Sequence, residues 1–266
     1  MKLSCTSTMV PGGSITEKAK RLRDWGYEGI AVFAEYSTWN DQLYQELLHL
    51  EENTGVRTCE FVFGDEIYGH LMDPNEELQK ESRKMYKLAA QICAKLGAVT
   101  ELEFSYGPRN PLPLFDPYMQ MSERQEREFL EMYREVAAPL ANTEGYMLLE
   151  GINRYESPYL NRLKDCKDIV DKTGIKRAGV LADFFHMAIE EADFTESIRH
   201  AGSSIKHVHL GDNNRLLPGY GMIDWKKCFT ALQEIGYQGF LNLECSTCGN
   251  PEETLPKTAV YLKSMI

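Results

Sequence analysis

Residues 146 to 183 decide the fold. They run Tyr146-Met147-Leu148-Leu149-Glu150, then a stretch of helical period from Tyr159 to Lys172, then Gly174, then Ala178-Gly179-Val180-Leu181-Ala182-Asp183. Two short apolar runs, each closed by an acid, flank a longer amphipathic segment. That order is the mark of two parallel strands joined by a helix, since an antiparallel pair would need only a tight turn.

The unit repeats in both directions. Strand candidates lie at Leu3 to Thr8, Gly29 to Phe33, Val56 to Phe63, Val99 to Phe104, Tyr146 to Glu150, Ala178 to Asp183, Ile205 to Leu210 and Phe240 to Glu244. Helix candidates alternate with them at Thr16 to Trp25, Gln42 to Glu52, Glu76 to Leu96, Glu123 to Ala141, Tyr159 to Lys172, Phe194 to Ala201, Trp225 to Ile235 and Glu252 to Met265. Gly26, Gly97, Gly174, Gly202 and Gly236 follow helical stretches where a C-cap is expected. Eight strands alternating with helices close an α/β barrel of the (β/α)8 or TIM type, and 266 residues suit one such domain over 1–266. A doubly wound open sheet has the same alternation. Its usual nucleotide function needs an early Gly-rich turn, and Pro11-Gly12-Gly13 has the wrong spacing. The barrel predicts that the chemistry sits at the carboxyl-terminal rim of the strands.

Composition narrows the function. The chain is 43% hydrophobic and 26% charged, as in ordinary globular proteins, and 29 basic against 40 acidic residues give a net charge of −11. Such a charge repels a nucleic acid backbone and anionic lipid, so neither nucleic acid nor membrane is an expected partner. The amino terminus lacks the apolar core of a signal peptide and no stretch approaches a membrane span, so the expected location is cytoplasmic. Seven scattered cysteines suit reduced thiols better than a disulfide framework.

The last four strand candidates carry metal-binding residue types at or next to their ends: Glu150, Asp183, His209 and Glu244. Strand side chains alternate with period two, so Glu150 shares a face with Leu148, and Asp183 with Leu181. If that face lines the barrel, the four groups converge at one rim. A helix cap or an arginine partner explains any one of them alone. Together, buried carboxylates repel unless a cation compensates them, and a shell of two Glu, one Asp and one His suits Mn²⁺, Mg²⁺ or Co²⁺ better than Zn²⁺. His207 lies deeper on the same face and reads as a hydrogen-bonded interior histidine. Asp212 reads as a loop-capping residue.

Three segments carry a family resemblance: Glu150-Gly151-Ile152-Asn153-Arg154-Tyr155-Glu156, Asp183-Phe184-Phe185-His186-Met187, and His209-Leu210-Gly211-Asp212-Asn213-Asn214-Arg215 through Pro218-Gly219. Together they resemble the ketose 3-epimerases, the D-tagatose and D-psicose 3-epimerase group of the xylose-isomerase-like barrels. The match runs from Glu150 to Glu244; the first half follows only general superfamily style. It departs at Ala31, where the superfamily usually carries a glutamate, and in a first strand without the aromatic that many 3-epimerases place near the sugar.

The resemblance implies Glu150, Asp183, His209 and Glu244 as ligands of one divalent ion, with Mn²⁺ first and Co²⁺, Mg²⁺ or Zn²⁺ after it. It implies Glu156, His186 and Arg215 as substrate-binding residues and a sugar as the small-molecule partner. Glu150 and Glu244 would serve as the acid and base that invert carbon 3 through an enediolate. The family's dimers and tetramers imply a homodimer or homotetramer. An inosose-type dehydratase and an aldose-ketose or hydroxypyruvate isomerase use the same metal logic, and a non-catalytic sugar-binding barrel is the alternative of a different class. A nuclease resembling endonuclease IV needs further histidines that the loop Gly219-Tyr220-Gly221 lacks. Trp39, Tyr106 and His70 follow strands and are candidates to line the pocket. Cys245 and Cys248 have C-x-x-C spacing without a second pair, a weak zinc or redox signal.

Overall fold

A computed structural model describes residues 1–266. Its strands are β1 (Lys2–Thr6), β2 (Gly29–Ala34), β3 (Arg57–Phe63), β4 (Val99–Leu102), β5 (Tyr146–Glu150), β6 (Ala178–Asp183), β7 (Ile205–Leu210) and β8 (Phe240–Leu243). Each pairs in parallel with its sequence neighbours, and β8 closes on β1. This is the barrel the alternation predicts. The helices are α1 (Ile15–Asp24), α2 (Asp41–Leu48), α3 (Leu50–Thr54), α4 (Glu76–Leu96), α5 (Glu123–Ala137), α6 (Leu163–Thr173), α7 (Phe184–Glu190), α8 (Phe194–Ala201), α9 (Trp225–Glu234) and α10 (Pro251–Lys263).

Local chemistry sets most helix ends. The Asn75 side chain accepts from the Glu77 and Leu78 amides to start α4, and Gly97, at φ +64°, stops it. Ser122 and Gln125 form a capping box at α5. All five glycines expected at C-caps have positive φ. Three departures have local causes. The segment expected as one helix over 42–52 is split at His49. The helix expected from Tyr159 starts at Leu163, because Asn161 instead donates to the Ile152 and Ser157 carbonyls of the β5 loop. Residues 184–190 form a helix that the sequence pattern did not announce. It follows β6 with no loop, since Asp183 itself accepts from the His186 amide.

Two apolar regions hold the barrel. The main core lies between the sheet and the helices, and takes in the Met and aromatic residues of the long helices, such as Met85, Tyr86, Phe129, Met132 and Tyr133. The second is small: Val99, Leu148 and Leu181 plug the inside of the barrel, with Tyr146 packed against them. Above that plug the interior is polar. Glu60, His207 and His209 are buried there, so the barrel becomes ionic toward the rim where its strands end. No disulfide joins the seven cysteines, and no helix is long and apolar enough to cross a membrane.

Candidate active site

The register carries the side chains of the last strands to one level. Glu150 pairs with Leu181, Asp183 with His209, and His209 with Asn242, the residue two before Glu244. His209 is the hub. Its Nδ1 lies 3.2 Å from Glu244 Oε2, 3.6 Å from Asp183 Oδ2 and 3.8 Å from Glu150 Oε1. The four residues expected to converge are therefore grouped around one nitrogen.

That nitrogen is the test of a metal. His209 Nε2 donates to both oxygens of Glu60, at 3.0 and 3.1 Å, across the barrel from β3. Its proton is thus committed there. Nδ1 is buried and has no hydrogen-bond partner. A bare nitrogen lone pair facing three carboxylate oxygens is stable only with positive charge among them. A carboxylate that holds one imidazole nitrogen so that the other points at a cation is the usual support of a metal-binding histidine. The donor set fits a divalent ion. Without one, burial disfavours the imidazolium, but Glu60 and Glu244 outweigh it and hold His209 well above the usual histidine range. Either way the site calls for a cation at this point.

The carboxyl groups divide in two. Burial raises Asp183, yet Arg215, His186 and His209 bring it far below the normal range; Glu244 is lowered against its burial by His209 and Arg215. Glu60 is likewise lowered by His209 and His207. Glu150 goes the other way, raised by burial and by the nearby charge of Glu101. Arg215 donates to Asp183 Oδ2 at 2.8 Å and pairs with Glu244. It stands beside the expected ligands, not apart from them. Its backbone is left-handed, φ +57°, in a loop organised by Asp212. Buried Asp212 accepts from the Asn213, Gly219 and Ile223 amides and from Trp225 Nε1, which is the loop-capping role read from the sequence.

His186 projects from α7 toward the same point, with Nε2 4.0 Å from Glu150 Oε1. Asn153 Nδ2 donates to His186 Nδ1 at 2.8 Å and to Glu156 Oε1 at 2.6 Å, which leaves the His186 proton on Nε2, facing the site. Glu156 acts here through Asn153 and does not line the cavity, and Arg154 pairs with buried Glu190 rather than with Glu156. A cavity of about 170 Å³ opens over Glu150, Glu244, His186 and Arg215. Tyr106 is on its wall. Trp39 is not: it packs on Phe61 and Phe63, and His70 holds Asp73 at 2.7 Å. His207 lies deeper, 3.4 Å from Glu60 Oε2. No group of metal-ligating side chains includes Cys245 or Cys248.

Strand-end reasoning missed Glu60, Glu101, Glu103 and Tyr68. A signal existed. Thr58-Cys59-Glu60 and Val99-Thr100-Glu101-Leu102-Glu103 place acids with period two inside apolar runs, on the face that points into a barrel.

The chain is similar to several named epimerases. A D-psicose 3-epimerase of Enterocloster bolteae is 38% identical over 111 residues, 42% of this chain and 37% of that protein. A probable ketose 3-epimerase of Synechocystis is 28% identical over 86% of this chain and 77% of its own length. The crystal structure of a 3-keto-D-glucoside 4-epimerase from E. coli superposes with a TM-score of 0.86 at 22% identity, covering 99% of each chain. The family model described as xylose isomerase-like TIM barrel matches residues 19–265, and the chain belongs to that family.

Proposed function

We propose that this protein is a divalent-metal-dependent epimerase of a ketose or keto-sugar, inverting the carbon next to the carbonyl, with carbon 3 of a ketose as the first assignment. The convergence of three carboxylates on the unpartnered His209 Nδ1 carries the reading. Glu150, Asp183, His209 and Glu244 would hold the ion, and so oxygen-rich a set suits Mn²⁺ first. When bound, such an ion polarises a carbonyl and its neighbouring hydroxyl, which acidifies the carbon-bound proton between them.

The chain's own residues supply the proton transfers. Epimerisation needs a proton taken from one face of a carbon and another delivered to the opposite face. Glu150 on β5 and Glu244 at the end of β8 flank His209 from two directions. One of the two takes the proton and the other returns one, and the reverse reaction exchanges the roles. Arg215 and the His186 Nε2 proton face the oxygens on which negative charge develops.

The E. coli neighbour favours a second reading, epimerisation at carbon 4 of a 3-keto-glycoside, which uses the same chemistry one carbon along. Turnover in heavy water with Mn²⁺, on a panel of ketoses and 3-keto-glycosides, separates these. Deuterium at carbon 3 of a ketose, with carbon 1 unlabelled, is the expected result. Label at carbon 4 selects the second reading. Label within an exchanged carbonyl pair, a deoxy or unsaturated product, or binding without turnover would replace epimerisation by an isomerase, a dehydratase or a binding module.

A further inference from the structure

The β4 side of the cavity holds two carboxyl groups that the proton transfers leave unused. Glu101 and Glu103 project from the barrel face of β4 and its end, 4% and 3% exposed. The Tyr68 hydroxyl lies between them, 2.6 Å from Glu101 Oε1 and 2.8 Å from Glu103 Oε1. The second oxygen of each, Oε2, is buried with no hydrogen-bond partner, and both residues line the cavity over Glu150 and Arg215. A buried acceptor left unmatched costs about 1–3 kcal/mol. Two residues of one cavity wall that each keep an unmatched acceptor mark a place where a ligand can complete the bonding.

The wall is rigid. Gly69, at φ +77°, presses the loop that carries Tyr68 onto the next one: a Cβ there would lie 2.6 Å from the Tyr106 amide nitrogen. The Tyr106 ring then packs edge-on against Tyr68, with centroids 5.9 Å apart, as the outer lip. The group that fits is a hydroxyl. Tyr68 carries one proton and cannot fill two short contacts to ionised oxygens, so the trio shares protons and lacks the full double charge that would select an ammonium. Glu101 and Glu103 also repel a phosphate or carboxylate.

We propose that Glu103, with Tyr68 and Glu101 behind it, binds a hydroxyl of the sugar remote from the reacting carbons, and so selects a fully hydroxylated chain over deoxy analogues. The inference rests on the sugar-epimerase reading of the neighbouring site.

The test compares the Mn²⁺-loaded wild type with Glu103→Leu and Glu103→Gln on a ketohexose and on its 4-, 5- and 6-deoxy analogues. The wild type is expected to favour the parent sugar at least tenfold in kcat/KM over one analogue. Glu103→Leu should lose that factor on the parent, mostly through KM, and change less than twofold on the discriminated analogue; Glu103→Gln should recover part of the loss. Equal losses on every sugar mean a structural role and overturn the proposal, as does a wild type blind to all three deletions. A preference for an amino-sugar analogue overturns it in favour of a cation site. If Glu103→Leu does not fold, Tyr68→Phe and Glu103→Gln carry the same comparison. Calorimetric binding of the same sugars separates the two claims. Discrimination in binding without turnover leaves the wall standing and removes the epimerase, whereas absence of discrimination in both measurements removes the wall.

Discussion

The two sides of the barrel mouth use the same residue type to opposite ends. On the side of β6 to β8, Asp183 and Glu244 lie within reach of His209 and Arg215, and both are held ionised in spite of burial. On the side of β4, Glu101 and Glu103 share a tyrosine hydroxyl and pair with no cation, although Glu101 lies near Glu150 and His209; burial pushes Glu101 up to about 8 and Glu103 well above the carboxylate range. Burial alone favours the neutral acid everywhere in this cavity. What separates the sides is that Asp183 and Glu244 pair directly with Arg215 and face His209 at 3.2–3.6 Å, whereas neither Glu101 nor Glu103 forms an ion pair. One side is thus a charge-compensated centre and the other a proton-sharing wall, with Glu150, raised by burial and by Glu101, between them.

Metal removal tests the compensated side most severely. Chelation should abolish turnover and lower the melting temperature, and Mn²⁺ or Co²⁺ should restore both, because an ion bound only by the native state stabilises it by mass action. Full activity in protein shown by elemental analysis to be metal-free would break the contrast at its strongest point.

A smaller effect sharpens it. Glu60→Gln keeps the shape of the group that holds His209 Nε2 but removes its charge, and should weaken metal affinity by about 10–100-fold with the ligands intact. Competition against a chelator measures this. Unchanged affinity would mean that Glu60 only packs the barrel.

The smallest effect belongs to the wall. Glu101 and Glu103 have folded pKa values raised above those of the unfolded chain, so the folded state binds their protons more tightly. Their contribution to stability is complete below about 4.3, the unfolded value, and is lost as pH rises through the folded value, about 8 for Glu101. In metal-free protein, Glu103→Gln should flatten the fall in urea-unfolding stability between these limits. An unchanged slope in that variant would place Glu103 in the ionised class and remove its half of the contrast.

The contrast follows what the sequence made legible. Each of the strands β5, β6 and β7 lies where its apolar run predicts; β5 and β6 end in Glu150 and Asp183, and β7 carries His209 one residue before its end, so period two alone puts the three on the barrel face. On the other side the acids sit inside the runs. Glu60 occupies the middle of β3 and Glu101 the middle of β4, where an isolated charge reads as a fault in a strand rather than as part of a site. Helix α7 was illegible for a related reason. Its seven residues are too short for a period, and its cap, Asp183, was already read as a strand end.

By itself the sequence determined eight strands alternating with helices and placed Glu150, Asp183, His209 and Glu244 at or beside strand ends, because alternation and position in a strand are local properties of the chain. Only the tertiary structure decided that Glu60 reaches His209 from β3, that Arg215 returns to Asp183 and Glu244, that Glu156 acts through Asn153 on His186, and that Tyr68 ties Glu101 to Glu103. Those contacts join residues as far apart as Glu60 and His209, 149 positions along the chain. Whether a buried carboxyl keeps its proton depends on such neighbours, and closing the barrel is what brings them within range.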